Sequence, residues 1–224
     1  MSFSFDDFPR TAYTVGGSVL KDFGARGTFY TALGLMNSAS AFREQFRLDD
    51  LYALTADGHE LANHTLNHVS SRTISVSAFV QEVREGCAAM QQLPDLTVSN
   101  NFAYPFGAVT MAAKRAVGRE MLSCRGTTHG VNGPVVDLNL LRANPLYGDV
   151  DRLDCVRSLL STNEQVRGWL IFYTHDICIS PSPYGCTRTL FESVVRLVRE
   201  ASMKILTVNE VVAKWVRKPD LPTV

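Results

Sequence analysis

Residues 169–176 read Trp-Leu-Ile-Phe-Tyr-Thr-His-Asp, an apolar run that ends in a histidine and an aspartate. Such a run, rich in aromatic and β-branched residues, predicts a short strand. Seven similar runs lie at residues 3–5, 28–31, 60–62, 101–104, 121–124, 140–141 and 204–206. The sequence therefore predicts up to eight strands, and the polar residues that follow them are candidates for function.

Longer segments with a helical period separate these runs. In residues 76–93, apolar side chains at positions 80, 83, 87 and 90 recur every three or four residues, which places them on one face of a helix. The last segment opens with Thr-Val-Asn-Glu at 207–210, a capping-box pattern, and carries apolar residues at 211, 212 and 215. Strands and helices are thus expected to alternate.

Alternating strands and helices predict an α/β fold with a parallel sheet. We expect a closed or nearly closed barrel, with an open doubly wound sheet as the alternative. An eightfold barrel needs about 250 residues, so seven parallel strands suit these 224 residues better. No Gly-x-Gly-x-x-Gly follows the first run, which argues against a dinucleotide site. Without a linker or repeat, residues 1–224 are expected to form a single domain.

Composition excludes several classes of protein. The 22 basic and 22 acidic residues balance, so no net field favours nucleic acid. No apolar run is long enough for a membrane span. Residues 1–10 lack the pattern of a signal peptide, and the five cysteines form no Cys-x-x-Cys. We therefore expect a cytoplasmic protein without a nucleic-acid partner.

Two clusters at predicted strand ends suggest a metal site. The first strand ends in Asp6 and Asp7, and the third leads into His64 and His68. Positions four apart lie about 6 Å from one another on a helix but about 13 Å apart on a strand, so we predict a helical turn here. Two imidazoles and a carboxylate can bind a divalent ion, with Asp6 or Asp7 as the third ligand.

Two further strand ends carry candidate catalytic groups. Residues 102–107 read Phe-Ala-Tyr-Pro-Phe-Gly, a turn whose backbone N–H groups can stabilise an oxyanion. His175 stands at the end of the seventh predicted strand, where the active face of a parallel barrel lies. His59 and His129 lie in loops next to glycine, and no role is predicted for them.

Four motifs together resemble one known family. Ser-Phe-Asp-Asp at 4–7, His-Thr-Leu-Asn-His at 64–68, Tyr-Pro-Phe-Gly at 104–107 and Tyr-Thr-His at 173–175 resemble the polysaccharide deacetylases with a NodB homology domain, carbohydrate esterase family four. The resemblance covers nearly the whole chain. It implies a distorted (β/α) barrel, one divalent ion, and hydrolysis of an acetamide or acetyl ester on a sugar.

The resemblance also implies a role for each motif residue. Asp6 would be the general base and His175 the general acid, with Asp176 as an orienting partner. Asp7, His64 and His68 would hold the ion, expected to be Zn²⁺ with Co²⁺, Ni²⁺ or Mn²⁺ as alternatives, and its water would be the nucleophile. The backbone N–H of Phe106 would hold the oxyanion. The residues expected to line the substrate site are Tyr104, Pro105, Tyr173 and Arg142.

Two positions depart from the family pattern. Ala103 stands where well-known members carry the arginine that orients the base, and we expect Arg142 to supply that charge instead. The family's Asp-Trp pair has no counterpart, since Asp149 and Asp151 lie nearby but no tryptophan follows. The wall that binds the sugar is therefore expected to differ.

Three functional hypotheses follow. The first is a metal-dependent enzyme that removes acetyl groups from an acetylated amino sugar or sugar ester, on a glycan or a lipid-linked precursor. The second keeps the same site but acts on a non-carbohydrate amide or cyclic imide. The third is a non-catalytic sugar-binding relative, which the filled set of metal-ligand positions disfavours.

Overall fold

The computed structural model describes residues 1–39 and 43–215. Seven strands form one sheet in the order β5-β4-β3-β2-β1-β7-β6, and every neighbouring pair is parallel. The strands are β1 (Ser2–Asp6), β2 (Thr28–Thr31), β3 (Glu60–Asn63), β4 (Val98–Ala103), β5 (Ser123–Arg125), β6 (Asn144–Pro145) and β7 (Ile171–Thr174). The predicted α/β fold with seven parallel strands is confirmed.

Helices connect most successive strands, and two more follow β7. They are α1 (Ser18–Asp22), α2 (Leu48–Ala56), α3 (Val76–Gln91), α4 (Met111–Val117), α5 (Leu153–Val166), α6 (Arg188–Glu200) and α7 (Val208–Trp215). A π-helical segment, Ala12–Gly17, leads directly into α1. Within the described ranges, no helix has both the length and the apolar character needed to cross a membrane.

Two predicted helix features are confirmed. Val80, Val83 and Met90 are buried on one face of α3. At the start of α7, the Thr207 N–H donates to the Glu210 carboxylate at 2.8 Å, and the Glu210 N–H donates to the Thr207 hydroxyl at 3.2 Å. This reciprocal pair is a capping box.

The sheet curls into an incomplete barrel. Leu141 forms an isolated parallel bridge with Arg125 of β5, and three residues later β6 pairs with β7. One short stretch of chain therefore links both edges of the curled sheet. At the amino ends of the strands, Val208 and Val212 of α7 pack with Trp169 and Ile171.

Two of the predicted strands are wrong in position or in kind. The sixth lies at Asn144–Pro145 rather than at 140–141, where Leu141 makes only the isolated bridge. Residues 204–206 form no strand, although the Leu206 N–H donates to the Met1 carbonyl at 2.9 Å. The reason is that β1 already pairs with β2 and β7, so it has no free edge.

Alternation along β1 separates the core from the site. Phe3 and Phe5 point outward, where Phe3 packs on Phe191 of α6 and Phe5 stacks on Phe29 with ring centroids 4.4 Å apart. Ser2, Ser4 and Asp6 point to the inside of the curl, because side chains alternate across a strand. Asp6, the last of them, is thereby delivered to the carboxyl end of the barrel.

Candidate active site

Two neighbouring carboxylates leave the end of β1 in different ways. Asp6 continues the strand alternation and is only 5% exposed. Asp7 has φ 62°, in the left-handed region, so the chain turns sharply after the strand. Both side chains nevertheless line the same cleft, because this turn overrides the opposite orientation that a continuing strand would impose.

A buried arginine holds the carboxylate of Asp6. The Nη2 atom of Arg125 lies 2.5 and 2.6 Å from the two carboxylate oxygens. Its guanidinium packs between two aromatic rings, 5.0 Å from the centroid of Tyr30 and 4.9 Å from that of Tyr173. Burial lowers the pKa of Arg125, but the carboxylate of Asp6 outweighs it and raises the pKa above its usual value.

Arg142 does not hold Asp6. Its guanidinium donates to the His129 carbonyl at 2.8 Å, outside the cleft. Arg125 instead ends β5 directly beside Ala103 in the register of the sheet. The arginine missing at position 103 is therefore supplied from the same level of the adjacent strand. The only sequence signal was a charged residue just after the predicted strand at 121–124.

Asp7, His64 and His68 converge in a candidate metal centre. The Asp7 Oδ1 atom lies 3.3 Å from His64 Nε2 and 2.9 Å from His68 Nε2. Each residue offers one ligand atom, and the three atoms lie within 4.8 Å of one another. Donor atoms around a tetrahedral zinc ion are about 3.3 Å apart, so the spacing suits such an ion.

The chemistry of these atoms also fits a cation. His64 Nδ1 lies 2.8 Å from the Ala103 carbonyl, which can only accept, so Nδ1 carries the proton and the neutral ring presents an acceptor at Nε2. Asp7 Oδ1 is buried with no hydrogen-bond donor among the described residues.

The two histidines stand on a loop rather than on the predicted helical turn. The chain leaves β3 after Asn63, and Thr65 and His68 both adopt positive φ, 65° and 54°. A helical turn is therefore not the only backbone path that brings two imidazoles four positions apart together. A loop with two left-handed residues folds back on itself and achieves the same convergence.

His175 stands on the other side of Asp7. It follows β7, and its Nε2 atom lies 3.8 Å from Asp7 Oδ2. Its Nδ1 lies 3.1 Å from the Tyr184 carbonyl, an acceptor that fixes the proton on Nδ1. The Nε2 atom is therefore the one directed toward Asp7.

Asp176 does not orient His175, which corrects the sequence expectation. Its carboxylate is buried and bound instead by Arg43 at 2.5 Å and by the Ser182 N–H at 2.9 Å. Burial raises the pKa of Asp176, but these contacts outweigh it and lower the pKa. Asp176 therefore organises the loop that presents the Tyr184 carbonyl to His175.

The cleft that contains these groups has a volume of about 350 Å³. Beyond the five charged or imidazole side chains, it is lined by Phe106, Gly107, Thr127, Tyr147, Tyr173 and Tyr184. Phe106 is 69% exposed, has φ 60°, and packs on the His68 ring at 4.4 Å between centroids. Its backbone N–H donates to no acceptor within the described residues.

The expected substrate residues are only partly in the cleft. Tyr173 lines it, whereas Tyr104 is 1% exposed with its hydroxyl 3.4 Å from the Asn139 carbonyl, and Pro105 is buried. Tyr147 and Tyr184 were missed, since neither follows a predicted strand. Burial raises the pKa of Tyr147 and of Tyr173, so both phenols stay neutral.

A larger cavity of about 630 Å³ lies at the opposite end of the strands. Its buried acid, Glu60, accepts hydrogen bonds from the hydroxyls of Thr28 and Ser99, from the Asn101 side chain and from the Asn209 N–H. A carboxylate with four donors is fully satisfied, so this acid ties the strands together.

Several solved structures share this fold. A Mycobacterium smegmatis protein classed among the polysaccharide deacetylases has a TM-score of 0.69 and 13% identity, covering 98% of this chain and 94% of that one. The Xyl-CE4 domain of a multidomain xylanase from the hindgut metagenome of Trinervitermes trinervoides has a TM-score of 0.63 and 16% identity, covering 98% of this chain and 92% of that one. A Streptococcus pyogenes deacetylase has a TM-score of 0.57 and 21% identity, covering 64% of this chain and 62% of that one.

Sequence comparison assigns the family. No curated protein sequence matches the chain. The family model for polysaccharide deacetylase matches residues 1–121, more than half of the 224 residues, and this part contains the Asp6-Asp7, His64-to-His68 and Phe106 motifs. The chain therefore belongs to the polysaccharide deacetylase family.

Proposed function

We propose that the chain hydrolyses acetyl groups from an N-acetylated amino sugar or an O-acetylated sugar of a glycan. One observation carries the proposal: three kinds of group line one open cleft. They are the Asp6 carboxylate, the ion site and the His175 imidazole, and the ion site consists of Asp7, His64 and His68. The similar Streptococcus pyogenes deacetylase was solved in complex with acetate, the product of such a reaction.

Asp6 is the proposed general base. The Nη2 atom of Arg125 contacts both carboxylate oxygens. The contact also fixes the direction of the carboxylate in the cleft. From there Asp6 removes a proton from the attacking water, a role typically worth about 10²–10⁴-fold in rate.

Asp7, His64 and His68 would hold the divalent ion. When bound, such an ion supplies Lewis-acid activation of water and of the acyl carbonyl. The unpaired N–H of Phe106 donates to the oxygen that becomes negative during attack. Gly107, with φ 61°, allows the tight turn that exposes this N–H.

His175 is the proposed general acid. Its Nδ1–H is held by the Tyr184 carbonyl, which leaves Nε2 directed into the cleft. In the imidazolium form it donates the Nε2 proton to the departing nitrogen or oxygen. Asp6 and His175 line the same cleft, so the chain has separate groups for the two proton transfers.

The lining of the cleft bears on the substrate. Among the described residues no lysine or arginine side chain lines it, which favours an uncharged glycan over a lipid-linked pyrophosphate. The wall contains three tyrosines and no tryptophan among those residues. This keeps a non-carbohydrate amide or cyclic imide as the second candidate substrate.

The experiment combines metal analysis with acetate release. Purified protein is analysed for bound divalent ions and then incubated with N-acetylated oligosaccharides, acetylated sugar esters, simple amides and cyclic imides. Asp6→Asn is expected to keep its ion and lose at least about 100-fold in kcat. His64→Ala is expected to lose the ion itself.

Matched controls separate these effects from general damage. Asp49→Asn changes an exposed carboxylate at the start of α2, and His129→Ala removes an imidazole outside the cleft. Both should retain wild-type ion content and rate. Near-normal turnover in Asp6→Asn would refute its role as the base. Hydrolysis of the cyclic imide without acetate release from any acetylated sugar would refute the deacetylase proposal and support the second substrate class.

A further inference from the structure

The loop that carries His64 and His68 adopts a conformation that its own residues disfavour. Thr65 and His68 have φ 65° and 54°, a region that L-residues avoid and that is especially unfavourable for β-branched threonine. Such strain persists only where the surroundings over-determine the backbone, as they do at ligand clamps. The contacts of this loop therefore show what sets the positions of the two imidazoles.

One side chain of α3, that of Glu82, makes two of the hydrogen bonds that hold this loop. The Glu82 carboxylate accepts from the Asn67 backbone N–H at 3.0 Å and from the Asn67 side-chain amide at 2.9 Å. The Glu82 carbonyl also accepts from the Leu66 N–H at 3.0 Å. Both contacted residues lie between the two histidines, so Glu82 fixes the middle of the loop.

Close packing on α3 fixes the start of the loop. The buried Asn63 donates to the Val83 carbonyl at 2.7 Å and accepts from the Thr65 N–H at 2.7 Å. A Cβ atom added at Gly86 would lie 2.9 Å from Asn63 Oδ1 and 3.0 Å from the Thr65 carbonyl carbon. Only a glycine lets the loop backbone approach the helix this closely.

The opposite side of the loop is equally confined. The Gly34 N–H donates to the Leu66 carbonyl at 2.8 Å. A Cβ atom at Gly34 would lie 2.5 Å from the Asn67 side-chain oxygen. The segment between the histidines is therefore held between α3 and the turn at Leu33–Leu35.

We propose that Glu82 is a positioning residue that pre-forms the His64 and His68 loop, so that the affinity for the divalent ion is set from α3. The inference rests on the ion site of the proposed function. The Glu82 side chain touches neither imidazole and acts through Asn67. Groups that orient metal ligands from behind typically contribute about 10–100-fold in metal affinity.

The test compares two glutamates on the same helix. Glu82→Ala removes both carboxylate contacts, whereas Glu82→Gln keeps one acceptor oxygen. Glu85→Ala and Glu85→Gln are the matched controls, because Glu85 is exposed and, in the part of the chain that the structure describes, its side chain accepts only from Gln81. Zn²⁺ affinity is measured by titration of metal-free protein against a competing chelator, and the Co²⁺ absorption spectrum reports the ligand geometry.

We expect Glu82→Ala to weaken Zn²⁺ binding about 10–100-fold and Glu82→Gln to recover part of it. The Glu85 variants should bind like wild type. Urea unfolding of the metal-free proteins completes the test, because a residue that only stabilises the fold would shift the unfolding midpoint and leave the affinity of the folded fraction unchanged. If Glu82→Ala fails to fold, Asn67→Ala removes one of the same contacts.

The outcomes distinguish this inference from the proposed function. If wild type binds Zn²⁺ and Glu82→Ala binds it equally well, the positioning role is refuted while the ion site stands. If wild type binds neither Zn²⁺ nor Co²⁺, the ion site of the proposed function is refuted and the positioning role falls with it.

Discussion

Replacing Arg125 by methionine tests the buried ion pair at the carboxyl end of the barrel. Arg125 is fully buried, and its Nη2 atom lies 2.5 and 2.6 Å from the two oxygens of Asp6. Methionine fills much of the same space without a charge, so the carboxylate stays in the interior without its counter-ion. The measurement requires metal-free protein, because a cation beside Asp7 would supply part of the missing charge.

The expected loss follows from this geometry. Opposite unit charges about 4 Å apart attract by about 4 kcal/mol at an effective dielectric constant of about 20. Removing one partner of a buried pair typically costs about 3–5 kcal/mol. We therefore expect Arg125→Met to lower the free energy of unfolding by about 4 kcal/mol, which corresponds to about 8–16 °C in Tm for a chain of this size.

Urea unfolding followed by circular dichroism measures this loss. Arg142→Met is the matched control. It should change the free energy of unfolding by less than about 0.5 kcal/mol, because the exposed guanidinium of Arg142 donates only to the His129 carbonyl among the residues of known position. A double-mutant cycle with Asp6→Asn should give a coupling of about 3 kcal/mol. Additive losses in the cycle, or an Arg125→Met protein as stable as Arg142→Met, would refute the reasoning.

Two further predictions concern a buried histidine and a tight turn. Burial lowers the pKa of His59 to about 4, so from pH 6.5 down to 4 only the unfolded chain takes up this proton, and wild type should lose on the order of 3 kcal/mol relative to His59→Gln over that range. Urea midpoints measured from pH 7 to 4 check the sign, and parallel curves would contradict it. Gly24→Ala and Gly107→Ala both place alanine at positive φ, but only at Gly107 would the new Cβ collide, 2.0 Å from the Thr127 hydroxyl. Gly24→Ala should cost about 1 kcal/mol with full activity, whereas Gly107→Ala should also lower kcat about 100-fold with its ion retained; equal kcat values would contradict the role of the Phe106 turn.

Local pattern was enough to predict most of the sheet. In β1, alternation of phenylalanine with small or acidic residues identifies a strand whose two faces meet different surroundings. The same reasoning located α3 and the capping box of α7, because periodicity and capping depend on residues close in sequence. It overcounted at residues 204–206, where a strand-like run meets a sheet with no free edge. Pairing partners are a property of the whole fold.

The site was harder to predict where the backbone leaves regular structure. Asp7 and His68 reach their positions through left-handed residues, which neither a helical nor a strand spacing anticipates. Residue type was enough to predict His64 and His68 as candidate metal ligands, whereas the predicted helix between them was wrong. Tyr184 lies outside any motif and reaches the cleft through the Asp176 loop.

Arg125 shows how a charge that is absent from a family motif can come from a neighbouring strand. Ala103 and Arg125 are 22 positions apart in the chain, yet they are partners in the register of β4 and β5. The Asp6 carboxylate is contacted by a guanidinium at one level inside the barrel. An inward-facing position at that level on β5, the neighbour of β4, can supply the guanidinium as well as position 103 on β4. In a parallel sheet, what matters is therefore the level of a residue along the strands. The number of positions between a residue and Pro105 in the sequence does not give this level.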